Sequence, residues 1–112
     1  GILGTGITGP ASGRTAEAIT CVNSWACPTL SCDIPSGLDP CTGSPPGGGS
    51  VCITAKWTLN YGILKAGQVS NAARRHVGEL WTTDVGTLNL PSEPSSLQAQ
   101  RMYEDSPLVR IS

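Results

Sequence analysis

Two stretches of this 112-residue chain bring together residue types that do chemistry. The first is Asp33-Ile34-Pro35-Ser36-Gly37-Leu38-Asp39, followed by Thr42-Gly43. Asp33 follows Thr29 to Cys32, which reads as a short strand. A carboxylate at the carboxyl end of a parallel strand points into the crevice where open α/β sheets bind ligands. Pro35 and Gly37 fix a sharp loop behind it, so that Asp33 and Ser36 can be held against a substrate. The plain alternative is that Asp33 caps its own loop through the Ser36 and Gly37 amides. The second stretch is Gly4-Thr5-Gly6-Ile7-Thr8-Gly9-Pro10, a G-x-G-x-x-G run. Glycines there allow positive φ and let backbone N–H groups approach a phosphate, which also gains from a helix N-terminus. A tight turn without a ligand is the alternative. Asp33 as the ribose-binding acid of a dinucleotide dehydrogenase is disfavoured, because Pro10 and Gly13 lengthen the turn beyond that fingerprint.

The elements that must position these residues follow from periodicity. Gly1 to Leu3 reads as the end of a buried strand, and Arg14 to Asn23 as an amphipathic helix. Within the latter, Ala16, Ile19 and Val22 share one face and Glu17 faces outward. Thr29 to Cys32 is the next strand. The alternation strand, glycine loop, helix, strand is a βαβ unit and implies a parallel sheet. Pro35 to Ser50, rich in proline and glycine, is loop. Cys52 to Tyr61, with its β-branched and aromatic residues, reads as a strand; a short helix around Ser70 to His76 and a last strand over Gly78 to Val85 follow. From Pro91 onward the composition is that of a linker or disordered tail.

Bulk composition narrows the function classes. The chain carries a net charge of −1 with 13% charged residues, which gives no electrostatic reason to expect nucleic acid or an anionic membrane. No apolar run approaches the roughly 18 residues of a membrane span. Five cysteines without a C-x-x-C pair argue against structural zinc, and the odd count argues against a complete disulfide framework. Reduced thiols are expected, several as small core residues. His76 follows Arg74-Arg75 at a helix end and reads as structural. Trp57 and Trp81 read as packing between sheet and helices, and Lys65 as a solvated turn lysine, with a reach into the crevice as the alternative. The start at Gly1, next to strand-like Ile2-Leu3, suggests a fragment.

Asp-Ile-Pro-Ser-Gly-Leu-Asp followed by Thr-Gly resembles the hallmark of the NAD(P)H-hydrate epimerase family, the YjeF N-terminal domain. Gly4 to Pro10 ahead of the Gly13-Arg14 helix looks like that family's second substrate loop. Ala55 to Tyr61 with Lys65-Ala66-Gly67, and Val77 to Gly86, are similar to its later strands and turn. The likeness covers residues 1–91, taken as the carboxyl-terminal part of such a domain, with 92–112 as the tail. It implies a Rossmann-like three-layer α/β/α fold with a mainly parallel sheet, incomplete here because the first strands are missing. It implies epimerisation of the R and S forms of hydrated NADH or NADPH, with one potassium ion beside the substrate. Residue by residue it implies that Gly4, Thr5, Gly6, Ile7, Thr8, Gly9 and Pro10 contact substrate. Asp33 would contact the reacting ring as acid and base, and Ser36 would help hold potassium. The family's other substrate loop, and the acid and asparagine that complete the potassium site, would lie upstream of Gly1. The implied partner is a small molecule; no nucleic acid or membrane is expected, and there is room for a homodimer. A cytoplasmic setting is expected, or a mitochondrial one in a eukaryote. The alternatives are a non-catalytic interaction module of the same domain type, or an inactive truncated product.

Overall fold

A computed structural model describes residues 2–86 and 101–112. Helix α1 spans Gly13–Ser24 and begins beyond Ser12 without a side-chain cap. The strands are β1 (Leu30–Cys32), β2 (Trp57–Tyr61), β3 (Glu79–Thr83) and β4 (Leu108–Arg110), and a short helix α2 (Arg74–Val77) precedes β3. They form one sheet in the order β1-β2-β3-β4. β1, β2 and β3 run parallel, with Ser31 opposite Thr58 and Thr58 opposite Leu80. β4 closes the edge antiparallel, with Thr82 opposite Val109. This is the Rossmann-like α/β class with a mainly parallel sheet.

Alternation along the strands sorts the two faces of the sheet. Ser31, Thr58, Asn60, Leu80 and Thr82 point to the covered face and are buried. There Leu80 packs with Ile34, Leu38, Cys52, Ala73 and Val77, joined by Leu64 and Ile111. The Thr58 hydroxyl, wholly buried, donates to the Val77 carbonyl at 2.8 Å, so its polar group costs little. On the other face Leu30, Trp57, Leu59, Trp81 and Leu108 line an open apolar groove of about 280 Å³. The two tryptophans therefore do not sit between sheet and helix among the described residues. Helix α1 packs instead beside the sheet, where Ile19 meets Ile53 and Ala55, flanked by Leu3, Ala11, Val22 and Val51.

Four further expectations about the fold change. Ile2 and Leu3 form no strand; their amides turn to the Ser36 hydroxyl rather than to a neighbouring strand. The second strand starts at Trp57, not Cys52. Ahead of it, the Ile53, Ala55 and Lys56 amides donate to Ser36, His76 and Thr29 carbonyls, and Thr54 donates to the Asn23 side chain. Extended backbone bonded to loops and helix α1 cannot also join a ladder. Only Cys52 is buried; Cys21, Cys27, Cys32 and Cys41 are exposed, and all five thiols are free. Burial pushes the Cys52 thiol up to about 12, which leaves it unreactive. Finally, the linker or tail expected over 92–112 does not hold at Leu108–Arg110, which pairs with β3. Ile111 adds a 2.7 Å hydrogen bond to the Leu80 carbonyl. The expected boundary at residue 91 lies outside the described residues.

His76, at the end of α2, is buried, and Arg75 Nε donates to its Nε2 at 3.0 Å. Desolvation first, and the Arg75 charge second, hold its pKa below the ordinary 6.5. The folded chain therefore takes up this proton less readily than the unfolded one. Above 6.5 the group contributes no difference; as pH falls through that value toward the folded pKa, stability is lost, and below the folded pKa the loss levels off. Urea midpoints should thus fall between about pH 7.5 and about pH 5.5. His76→Gln should flatten that fall, and an unchanged slope would contradict the assignment.

Candidate active site

The site grows from the carboxyl end of β1. Asp33 leaves the strand with φ of 67°, the only non-glycine residue in the left-handed region among those described. Asparagine and aspartate are the side chains that tolerate this conformation best. Its amide donates to the Leu59 carbonyl at 2.7 Å. The segment Ile34 to Leu38 then dives into the core, with Leu38 fully buried and Ile34 at 3% exposure. Gly37 allows this: its φ is 94°, and a Cβ there would lie 2.7 Å from the Val51 carbonyl oxygen.

The Asp33 carboxylate does not cap its own loop. It pairs with Lys65 Nζ, brought from the turn after β2. Lys65 Nζ also donates to Asn60 Oδ1 at 2.9 Å, so the expectation of a solvated turn lysine is overturned. Asn60, fully buried, donates to the Gly62 carbonyl at 2.9 Å and to Thr82 Oγ1 at 3.0 Å. Tyr103, from the segment expected to be a tail, donates to the same Thr82 oxygen at 3.1 Å. Gln68 Nε2 donates to the Asp33 carbonyl at 2.6 Å. Tyr61 ends β2 exposed to solvent, its phenol pushed above the usual 10.0 by the Cys32 thiol first, then by desolvation and the Asp33 charge. Sequence reading missed Asn60, Gln68 and Tyr103, whose contacts are long-range and leave no local signal.

The glycine loop forms a second, separate part. Gly4, Gly6, Ile7, Thr8, Gly9 and Pro10 line a groove of about 510 Å³ at the start of α1; Thr5 lies in the same turn but does not line it. Asp33 is not in that lining. Gly4, Gly6 and Gly9 do not use positive φ, contrary to the sequence expectation. A Cβ on any of the three would meet nothing within 4 Å among the described residues. The fold itself therefore does not require these glycines. Ser36 joins the two parts: its hydroxyl accepts from the Ile2 and Leu3 amides at 3.1 and 3.0 Å and donates to the Leu3 carbonyl at 3.1 Å. No group of three or more His, Cys, Asp or Glu among the described residues is placed to hold a metal ion. No helix among them is long and apolar enough to cross a membrane.

Parallel strands ending in an acid, a lysine returned to it from the next turn, and a glycine loop feeding a helix define an α/β domain that offers its carboxyl strand ends to a ligand. The family model described as YjeF-related protein N-terminus matches residues 1–67, and the chain belongs to that family. A bifunctional NAD(P)H-hydrate repair enzyme of Leishmania braziliensis is 36% identical over 110 residues, covering 98% of this chain and 18% of the relative. The NAD(P)H-hydrate epimerase of Levilactobacillus brevis is 31% identical over 85 residues, covering 76% of this chain and 38% of its own length. A bifunctional repair enzyme of Moorella thermoacetica is 36% identical over 85 residues, 16% of its length. The chain thus spans well under half of each of these relatives.

Proposed function

We propose that this chain carries the acid–base half of an NAD(P)H-hydrate epimerase, with Asp33 as the group that moves the proton. The observation that carries the reading is the Asp33–Lys65 pair at the carboxyl end of a parallel strand. Interconverting R and S at a hydroxyl-bearing ring carbon requires loss and return of water or a ring opening. Either route needs a proton acceptor that later acts as donor. Lys65 Nζ, which also donates to Asn60, holds the Asp33 carboxylate in place at the strand end. The names of the relatives, epimerase and repair enzyme, point to the same substrate class.

The glycine groove supplies the second contact. Backbone approached without side chains, at the mouth of an uncapped helix, suits the phosphates of a nucleotide. Gly6→Ala should therefore leave the melting temperature nearly unchanged while raising KM. A drop in stability with KM intact would reverse that assignment. The resemblance implies a potassium ion near Ser36, but both lone pairs of that hydroxyl are engaged by Ile2 and Leu3 amides. An ion there would have to displace an amide, so no step is routed through it.

The test is turnover of R to S hydrated NADPH by the purified chain, in potassium and in sodium salts. Turnover above the spontaneous rate supports the reading, and a difference between the salts reads the dependence on potassium. A chain folded by circular dichroism but without turnover overturns it in favour of the interaction module.

A further inference from the structure

We propose that Gln68 is the positioning residue of this site, its side-chain amide setting where Asp33 and Lys65 stand relative to each other; the catalytic value of that placement rests on the epimerase reading above. Gln68 is only 3% exposed, in the short 3-10 turn Ala66–Val69. A buried primary amide is costly unless its polar atoms are paired. Here each polar atom is paired to a different partner of the site. Nε2 donates to the Asp33 carbonyl at 2.6 Å, and Oε1 accepts the Lys65 backbone amide at 2.9 Å. One planar group thus spans both members of the ion pair.

The consequence for Asp33 is specific. Its left-handed backbone is held at both ends, the amide by Leu59 and the carbonyl by Gln68. With both polar groups fixed, the direction in which the carboxylate leaves β1 is fixed too. Lys65 is held at the first residue of its turn, from which its side chain reaches Asp33 and Asn60. The turn itself cannot drift. The Gly67 amide donates to the Pro40 carbonyl at 2.7 Å, and a Cβ on Gly67 would lie 2.6 to 2.7 Å from Pro40, Asp39 and Gly43 backbone atoms. An apolar side chain of similar volume would fill the same space at position 68. An amide is needed because two backbone atoms of the site face it.

The chain has two lysines, Lys56 and Lys65, which makes competitive amine labelling a direct readout. Lys56 is exposed, lies over the Trp57 ring at 4.5 Å and serves as the internal reference. Trace acetic anhydride, followed by peptide mass spectrometry, gives the Lys65 to Lys56 ratio. In the wild-type chain Lys65 must give up its hydrogen bonds to react, so the ratio is low. Gln68→Met removes both contacts and should raise the ratio several-fold. Gln68→Glu keeps an acceptor for the Lys65 amide but sets an oxygen against the Asp33 carbonyl, and should raise it as well. Asp33→Asn, which weakens the pair directly, is the control and should also raise it. Should Gln68→Met not fold by circular dichroism, the Glu variant carries the comparison. An unchanged ratio in the folded Gln68 variants, with the Asp33→Asn ratio raised, overturns the proposal. An unchanged ratio in all variants overturns it together with the ion pair. In the epimerase assay the Gln68 variants should lose kcat with little change in KM. A raised labelling ratio with kcat intact leaves the positioning role standing and sinks the epimerase reading of Asp33 instead.

Discussion

Asp33→Asn is expected to lower epimerase turnover by about 10²- to 10⁴-fold, the factor that a positioned general acid or base supplies. The substitution is informative because it keeps the backbone conformation and the shape of the side chain. Asparagine tolerates the left-handed backbone at this position as readily as aspartate does. It is the same size, and its Oδ1 can still accept from Lys65 Nζ. What it lacks is the ability to take and return a proton. Thermal midpoints should shift little while the R to S rate collapses toward the spontaneous one. A variant retaining its rate within about tenfold of wild type would remove Asp33 from the chemistry. Asp33→Ala is the less clean experiment, since it also adds about 1–2 kcal/mol of left-handed strain.

Gly78→Ala is expected to be the most damaging small substitution for stability. Gly78 ends α2 with φ of 64° and ψ of −137°, and its amide donates to the Arg74 carbonyl. A Cβ there would sit 2.2 Å from the Lys56 oxygen and 2.5 Å from the Ala55 oxygen. Neither atom is free to retreat. The Lys56 carbonyl accepts the Glu79 amide at 2.9 Å, and the Ala55 amide is bonded to His76. Backbone strain of this kind costs about 1–3 kcal/mol alone, and the backbone collision adds to it. A total beyond about 4 kcal/mol would be a large part of what holds a domain of this size together. Urea unfolding should therefore show the midpoint far below wild type, or no cooperative transition. A midpoint matching wild type would mean that the helix-to-strand turn is looser than its geometry implies.

Local chemistry explains which parts of this arrangement could be read in advance. The helix at α1 declares itself through Ala16, Ile19 and Val22, because helical period acts within a few residues. Asp33 and Gly37 declare themselves through turn chemistry of equally short range. Lys65 does not. It meets Asp33 across 32 positions of sequence, and nothing near it distinguishes that contact from solvation. Gln68 is the same case across 35 positions. β4 is hidden for another reason. Leu108–Arg110 is three residues long, and its pairing is dictated by the open edge of β3 rather than by its own pattern. Ile2 and Leu3 err in the opposite direction: an apolar pair looks strand-like, but its amides serve Ser36.

The parallel order of β1, β2 and β3 also governs how quickly the site comes into being. Parallel neighbours cannot be joined by a tight turn, so each ladder forms only after a long stretch of chain has been drawn closed. Ser31 must find Thr58, and Thr58 must find Leu80, before either pairing stabilises the other. The Asp33 loop lies inside the first closure and the Lys65 turn inside the second. Neither half of the ion pair has a partner until the first of these closures sets β1 beside β2. Folding should accordingly run on the slower, millisecond-to-second side that non-local topologies share. Assembly of the Asp33–Lys65 pair would then be tied to the sheet rather than to either loop.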